Sequence, residues 1–189
     1  MSSPISHTFE QVQAIFAEGE YNTVAVYKSV PSDEETCVTA YLKATSAKKN
    51  SFLIEQVKQA EHRTRFAYIG CDPFKEVIET KQDPLSLIEA EMAPYKLYPD
   101  RHMPDFTGGA IGYVGYDCVR FWEDTVPIHD QNDLEIPDSI MLYCRNMVLF
   151  DFAAPLMKVV SHVYKSDTDT AETLAEKYAE AAGKTYFKQ

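Results

Sequence analysis

Two β-rich runs near the end of the chain constrain its fold more than any other feature. Ser139–Phe152 (SIMLYCRNMVLFDF) and Leu156–Tyr164 (LMKVVSHVY) are the longest such runs in the sequence. Ala153-Ala154-Pro155 separates them, and its proline cannot donate to a strand ladder. The two runs therefore read as a hairpin, which commits the chain to antiparallel pairing.

A second hairpin is read at Ser51–Cys71 (SFLIEQVKQAEHRTRFAYIGC). Phe52-Leu53-Ile54 is apolar, Glu55-Gln56 ends the strand, and a charged turn returns to Arg65-Phe66-Ala67-Tyr68-Ile69, closed by Gly70. A buried carboxylate needs a partner, and Arg65 across the turn is the candidate for Glu55. The alternative is a plain hairpin whose glutamate faces solvent.

Helices fall between these runs. Thr8-Phe9-Glu10-Gln11 has the form of a capping box, followed by Phe9, Val12 and Phe16 on one face and a stop at Gly19. Asn22–Val30 reads as a strand. Ser32-Asp33-Glu34-Glu35 reads as a second capping box, opening a helix with Val38, Tyr41, Leu42 and Thr45 on one side. Phe74–Thr80 reads as a strand. Asp83-Pro84 starts a helix with Leu85, Ile88 and Met92 as its apolar face. The last helix is capped by Ser166 or Asp167, carries Ala171, Leu174, Tyr178 and Ala181 on one face, and ends at Gly183. There is no regular βαβ beat. We expect one α+β domain over residues 1–189, a mixed or antiparallel sheet with helices packed on it.

The net charge of -11 argues against nucleic acid or an anionic membrane surface as partner. Cys37, Cys71, Cys118 and Cys144 are scattered and form no CxxC, so no zinc-ligand spacing exists and reduced thiols are expected. The N-terminus lacks a basic segment followed by an apolar one, and no run approaches the roughly 18 apolar residues of a membrane span. A cytoplasmic location, no metal and no cofactor are the expectations.

Motif chemistry is sparse. Four of the seven glycines lie in Phe106–Asp117 (FTGGAIGYVGYD), but no GK[S/T] follows and the dinucleotide spacing is wrong. That stretch reads as a strand where missing side chains let another layer approach closely. Asp117–Glu123 reads as a helical turn carrying Trp122. His102 and His129 lie in loops near Asp100, Asp105, Asp130 and Asp133, where a His–Asp pair is a candidate for proton transfer. His7 and His62 read as exposed, and His162 as a sheet residue. Cys71 and Cys118 have no nearby cation to activate them and read as buried small hydrophobes.

The hairpin resembles the N-terminal domain of anthranilate synthase component I. There a Leu-Leu-Glu-Ser motif is followed by Arg-Tyr-Ser-Phe-Ile-Gly and belongs to the tryptophan feedback site. This chain has Leu53-Ile54-Glu55-Gln56 and Arg65-Phe66-Ala67-Tyr68-Ile69-Gly70. Gln56 and Ala67 stand where the resemblance has serines. The match is strongest at Gly-Gly-Ala-Ile-Gly-Tyr-Val-Gly-Tyr-Asp (108–117). Where the family has an acidic residue and a histidine (Asp-Thr-Ile-Val-Phe-Asp-His), this chain has Cys144-Arg145-Asn146 and Phe152.

The resemblance implies a ligand site at Glu55, Gln56, Arg65, Phe66 and Ala67. Each lost polar contact in such a site costs on the order of 1–3 kcal/mol, so tryptophan sensing is not expected. The family's chorismate-binding catalytic domain has no counterpart in the sequence, and anthranilate synthesis is not expected either. One function is a re-lined effector pocket for a small organic molecule, repurposed in secondary metabolism as a cofactor-free cyclase or isomerase. The alternative is a non-catalytic regulatory module that binds a partner, or itself, through the face left by the missing domain. A third is an excised piece of a tryptophan-biosynthesis enzyme.

Overall fold

The computed structural model describes residues 3–45, 50–55, 66–79, 81–127 and 135–185. Its α1 (Phe9–Ala17) opens on the expected reciprocal cap: Gln11 N–H donates to Thr8 Oγ1 at 3.4 Å and Thr8 N–H to Gln11 Oε1 at 2.8 Å. Val12, Ile15 and Phe16 are buried, and Gly19, at φ 78°, turns the chain out of the helix. The elements that follow are β1 (Thr23–Pro31), α2 (Cys37–Thr45), β2 (Ser51–Glu55), β3 (Phe66–Cys71), β4 (Lys75–Glu79), α3 (Pro84–Met92) and β5 (Gly109–Val114). A 3-10 turn (Tyr116–Phe121), β6 (Ser139–Cys144), β7 (Asn146–Asp151), β8 (Leu156–Tyr164) and α4 (Ala171–Lys184) complete the chain.

The strands form two sheets, β1-β8-β7-β3-β2 and β4-β6-β5, and every strand pairing in them is antiparallel. The α+β expectation holds. One expectation is corrected here: Ser139–Phe152 is not one strand of a hairpin. It breaks at Arg145, sending β6 into the small sheet and β7 into the large one. Only β7 and β8 form the hairpin. Arg145 keeps the break closed, because its carbonyl accepts from the His162 backbone N–H at 3.1 Å.

Alternation along the strands gives the large sheet two apolar faces. Val24 and Val26 of β1 and Val163 of β8 pack with α1 and α4 through Val12, Phe16 and Leu174. Val30, Ala67, Ile69, Val148, Phe150 and Met157 pack under Cys37 and Ala40 of α2. On the opposite face, Met103 and Phe106 of a connecting strap cover Met147, Leu149 and Val160.

The second capping box is also corrected. Thr36 and Thr39 cap α2 reciprocally, whereas Ser32 N–H donates to the Pro155 carbonyl at 3.1 Å and its own carbonyl accepts from Glu35 in a turn. The helix therefore starts later and buries its small residues. Cys37 and Ala40 face the sheet, while Val38 and Leu42 are 54% and 59% exposed. Likewise Leu85 of α3 is exposed and Pro84 is buried.

Thr170 and Thr173 cap α4, in place of Ser166 or Asp167, and Gly183 lies inside the helix. The turn before it is tied by Asp169, whose Oδ2 accepts from Lys177 Nζ at 2.5 Å and from Ser166 N–H at 2.7 Å. The Lys177 contact, then that of Ser166, holds the Asp169 carboxyl down at about 2. A carboxyl depressed on folding stabilises the fold above its ordinary value of 3.8, and that contribution is lost as pH falls through about 2. Asp169→Asn is therefore expected to lower stability at neutral pH and to flatten the acid limb between those two values. Urea midpoints measured across that range check it; an unchanged acid limb would refute it.

In the small sheet, Lys75, Val77, Met141 and Tyr143 share the face covered by α3, where Lys75 pairs with Glu91. The other face carries Ile78, Ile111, Tyr113, Ile140 and Leu142. Of these, Ile78 and Tyr113 are 56% and 39% exposed and the other three are half-buried.

Candidate functional site

The β2–β3 hairpin places Glu55 opposite Ala67, and Ala67 lies opposite Phe150 of β7. Phe150 in turn faces Met157 of β8, which faces Val30 of β1. Directly opposed residues share a face. Glu55, Ala67, Phe150, Met157 and Val30 thus form one row across all five strands, on the side that α2 covers.

Beside Glu55 and Phe150 lies a hollow of about 450 Å³. The sheet contributes Glu55, Phe150 and Asp151. The start of α2 and the turn before it add Ser32, Glu35, Thr36, Cys37 and Val38, and the β7–β8 turn adds Phe152, Ala154 and Pro155. Its volume falls in the range of small-molecule sites, which run from about 300 to 1,000 Å³.

The polar groups around it are acidic. Glu35 accepts from Lys43 and from Thr39 Oγ1, in that order of effect, and both contacts lower its pKa. Asp151 Oδ1 accepts from Ala153 N–H at 3.0 Å, which shapes the turn. Burial pushes the Cys37 thiol up, and the charge of Glu55 adds to the effect. Cys37 is consequently held as a thiol and is not an activated nucleophile.

The structure treats the sequence-predicted site residues unequally. Glu55 is exposed at the mouth of the hollow. Ala67 is completely buried in the row beside it. Phe66, one position earlier, turns to the opposite face and lines a separate hollow of about 600 Å³ with Tyr68, Met103, Phe106 and Lys158. The hairpin brings Glu55 and Ala67 together and sets Phe66 apart from them. Gln56 and Arg65 lie outside the described residues, and so does the expected Glu55–Arg65 pair. The reading missed Cys37, Phe150, Phe152 and Pro155, because no sequence spacing links α2 and the β7–β8 turn to this hairpin.

The other candidates resolve as follows. His102 meets Asp100 through its backbone N–H at 2.8 Å, and its Nε2 faces Arg101 Nε at 3.3 Å, so the imidazole and the carboxylate do not pair. His129, Asp130 and Asp133 lie outside the described residues. Cys118 is fully buried and its Sγ donates to the Asp138 carbonyl at 3.4 Å. Gly112 does permit a close approach, but of the adjacent strand rather than of another layer: a Cβ there would lie 1.8 Å from the Ile140 carbonyl oxygen. Among the described residues no group of His, Cys, Asp and Glu is placed to hold a metal, and no helix is long and apolar enough to cross a membrane.

No protein-family model matches the chain. It is 36% identical over 155 residues to a probable anthranilate synthase component 1 of Schizosaccharomyces pombe, covering 82% of this chain and 32% of that protein. Against anthranilate synthase component 1 of Saccharomyces cerevisiae the identity is 30% over 181 residues, covering 89% and 35%. The chain is an anthranilate synthase component I-like domain. It spans about a third of the length of these curated relatives. The crystal structure of anthranilate synthase component I from Streptococcus pneumoniae aligns over 82% of this chain and 35% of that one, with 19% identity and a TM-score of 0.46. In this anthranilate synthase component I-like domain, Glu55 of the β2–β3 hairpin lines the hollow.

Proposed function

We propose that the hollow beside Glu55 and Ala67 is an effector-type site for a small organic molecule other than tryptophan, and that this domain does not by itself make anthranilate. The observation that carries the reading is the row Glu55–Ala67–Phe150 bordering a hollow of about 450 Å³. Ala67, in the place of a serine in the resemblance, supplies only a methyl group to that row. Glu55 and Asp151 bring carboxylates to the lining, and a third, Glu35, is paired with Lys43. A neutral ligand or an amine that has an apolar body and no carboxylate fits this lining, and the carboxylates of tryptophan and chorismate do not. Turnover as a cyclase or isomerase would rest on Glu55, the carboxylate at the mouth. Binding is the function the lining favours.

A thermal-shift screen tests the reading. A ligand present at a hundred times its Kd adds about 2.7 kcal/mol of stability. We expect tryptophan and chorismate to give no shift that Gln56→Ala removes, and at least one neutral or amine-bearing metabolite without a carboxylate to raise the melting temperature. A tryptophan shift abolished by Gln56→Ala overturns the account of the pocket.

A second reading, a partner-binding module, is favoured by the partly exposed apolar face of the small sheet at Ile78, Ile111, Tyr113, Ile140 and Leu142. Exposed apolar faces of this kind mark interaction surfaces. The face lies on a different sheet from the hollow, so the two readings are compatible.

A further inference from the structure

The junction of the two sheets holds another hollow, of about 330 Å³, whose lining shares no residue with the hollow beside Glu55. Its most distinctive group is Arg145, at the break between β6 and β7. The guanidinium carbon lies 4.0 Å from the centre of the Phe74 ring and 5.9 Å from that of Tyr95. Among the described residues its side-chain hydrogen bond is a long one, from Nη2 to the Tyr95 hydroxyl at 3.3 Å. No carboxylate lies within ion-pair distance of it among the described residues. Stacking thus holds the guanidinium in place; its charge is felt by Glu180, and among the described residues its side-chain acceptor is the Tyr95 hydroxyl alone.

We propose that this hollow binds a small organic monocarboxylate, with Arg145 as the cation and the Asn146 carboxamide as a second donor. Arg145 presents a planar fork that matches a carboxylate with two parallel N–H donors. Ser161 Oγ donates to Asn146 Oδ1 at 2.8 Å, so the amide oxygen is occupied and the NH₂ hydrogens remain to donate. The other cations in the wall are already committed. Lys177 holds Asp169 at 2.5 Å and Lys184 holds Glu180 at 2.7 Å.

Asp72 and Glu180 also line the hollow, which disfavours a phosphate dianion and admits a single negative charge on Arg145. Phe74, Tyr164 and Ala181 provide walls for an apolar body. His162, beside them, adds no charge. Burial lowers its pKa, and its ring faces the Arg145 carbonyl at 2.9 Å and Thr107 Oγ1 at 3.0 Å.

The test uses calorimetric titration of the full chain with phenylacetate as probe and inorganic phosphate as comparator. Phenylacetate is expected to bind saturably and phosphate to bind more weakly. Arg145→Met keeps the aliphatic stem on Phe74 but removes the fork, and should weaken phenylacetate by about tenfold or more, a loss of about 1.4 kcal/mol. Asn146→Asp retains the acceptor for Ser161 and places a negative charge against the ligand. It should weaken binding comparably, and it decides the matter should Arg145→Met fail to fold. Saturable binding that both folded variants leave unchanged overturns the proposal, as does phosphate binding as tightly as phenylacetate, or no saturable binding of phenylacetate.

Discussion

Gly112→Val is expected to dismantle the three-stranded sheet and to cost about 3 kcal/mol or more in stability, at the upper end of the range for overpacking. A Cβ at Gly112 would lie 1.8 Å from the Ile140 carbonyl oxygen, 2.8 Å from its carbon and 3.0 Å from the Met141 Cα. All three are backbone atoms of β6, the central strand, which pairs with β4 on one side and β5 on the other. A flexible side chain could swing aside, but a ladder can retreat only by breaking its hydrogen bonds. The urea midpoint of the variant reads the loss, and a change under about 1 kcal/mol would show that β5 does not lie where the structure puts it.

Phe150→Ala is the second large effect, expected at about 3–5 kcal/mol for a buried aromatic. Phe150 is 3% exposed and sits mid-row, between Ala67 and Met157 and beside the hollow at Glu55. Truncating it removes packing from under α2 and opens the side of the site. Unfolding in urea should therefore show a lower midpoint, and any metabolite found by the thermal-shift screen should lose affinity. A variant with unchanged stability would mean that the row is not packed as described.

Much of the scaffold was legible. The Thr8 box, the Asp83-Pro84 start and the β7–β8 hairpin each depend on local chemistry: a side chain reaching three residues along, a proline at a first turn, a break between two apolar runs. The misread features were those that a longer-range contact decides. Ser32 was free to cap a helix until Pro155 took its N–H, and Ser166 until Asp169 did. Val38 and Leu42 are the more hydrophobic residues of α2, yet the smaller Cys37 and Ala40 face the sheet, where there is room for little more. The run Ser139–Phe152 has no turn residue at Arg145, and only its pairing with four different strands shows that it divides there.

The candidate site divides the same way. Alternation along Phe66-Ala67 already places these neighbours on opposite faces, because side chains in a strand have a period of two. The register that opposes Glu55 to Ala67, and Ala67 to Phe150, is a property of three strands together.

By itself, the sequence determined the α+β class, the positions of most helices and strands, and the likeness to anthranilate synthase component I, since propensity, capping and motif are short-range or are copied residue by residue. Only the tertiary structure decided that there are two sheets, which face of α2 is buried, and that Glu55 borders a hollow floored by Phe150. Those features depend on which distant segments compete for the same backbone donors and the same apolar surface, and that competition is resolved only when the chain is packed.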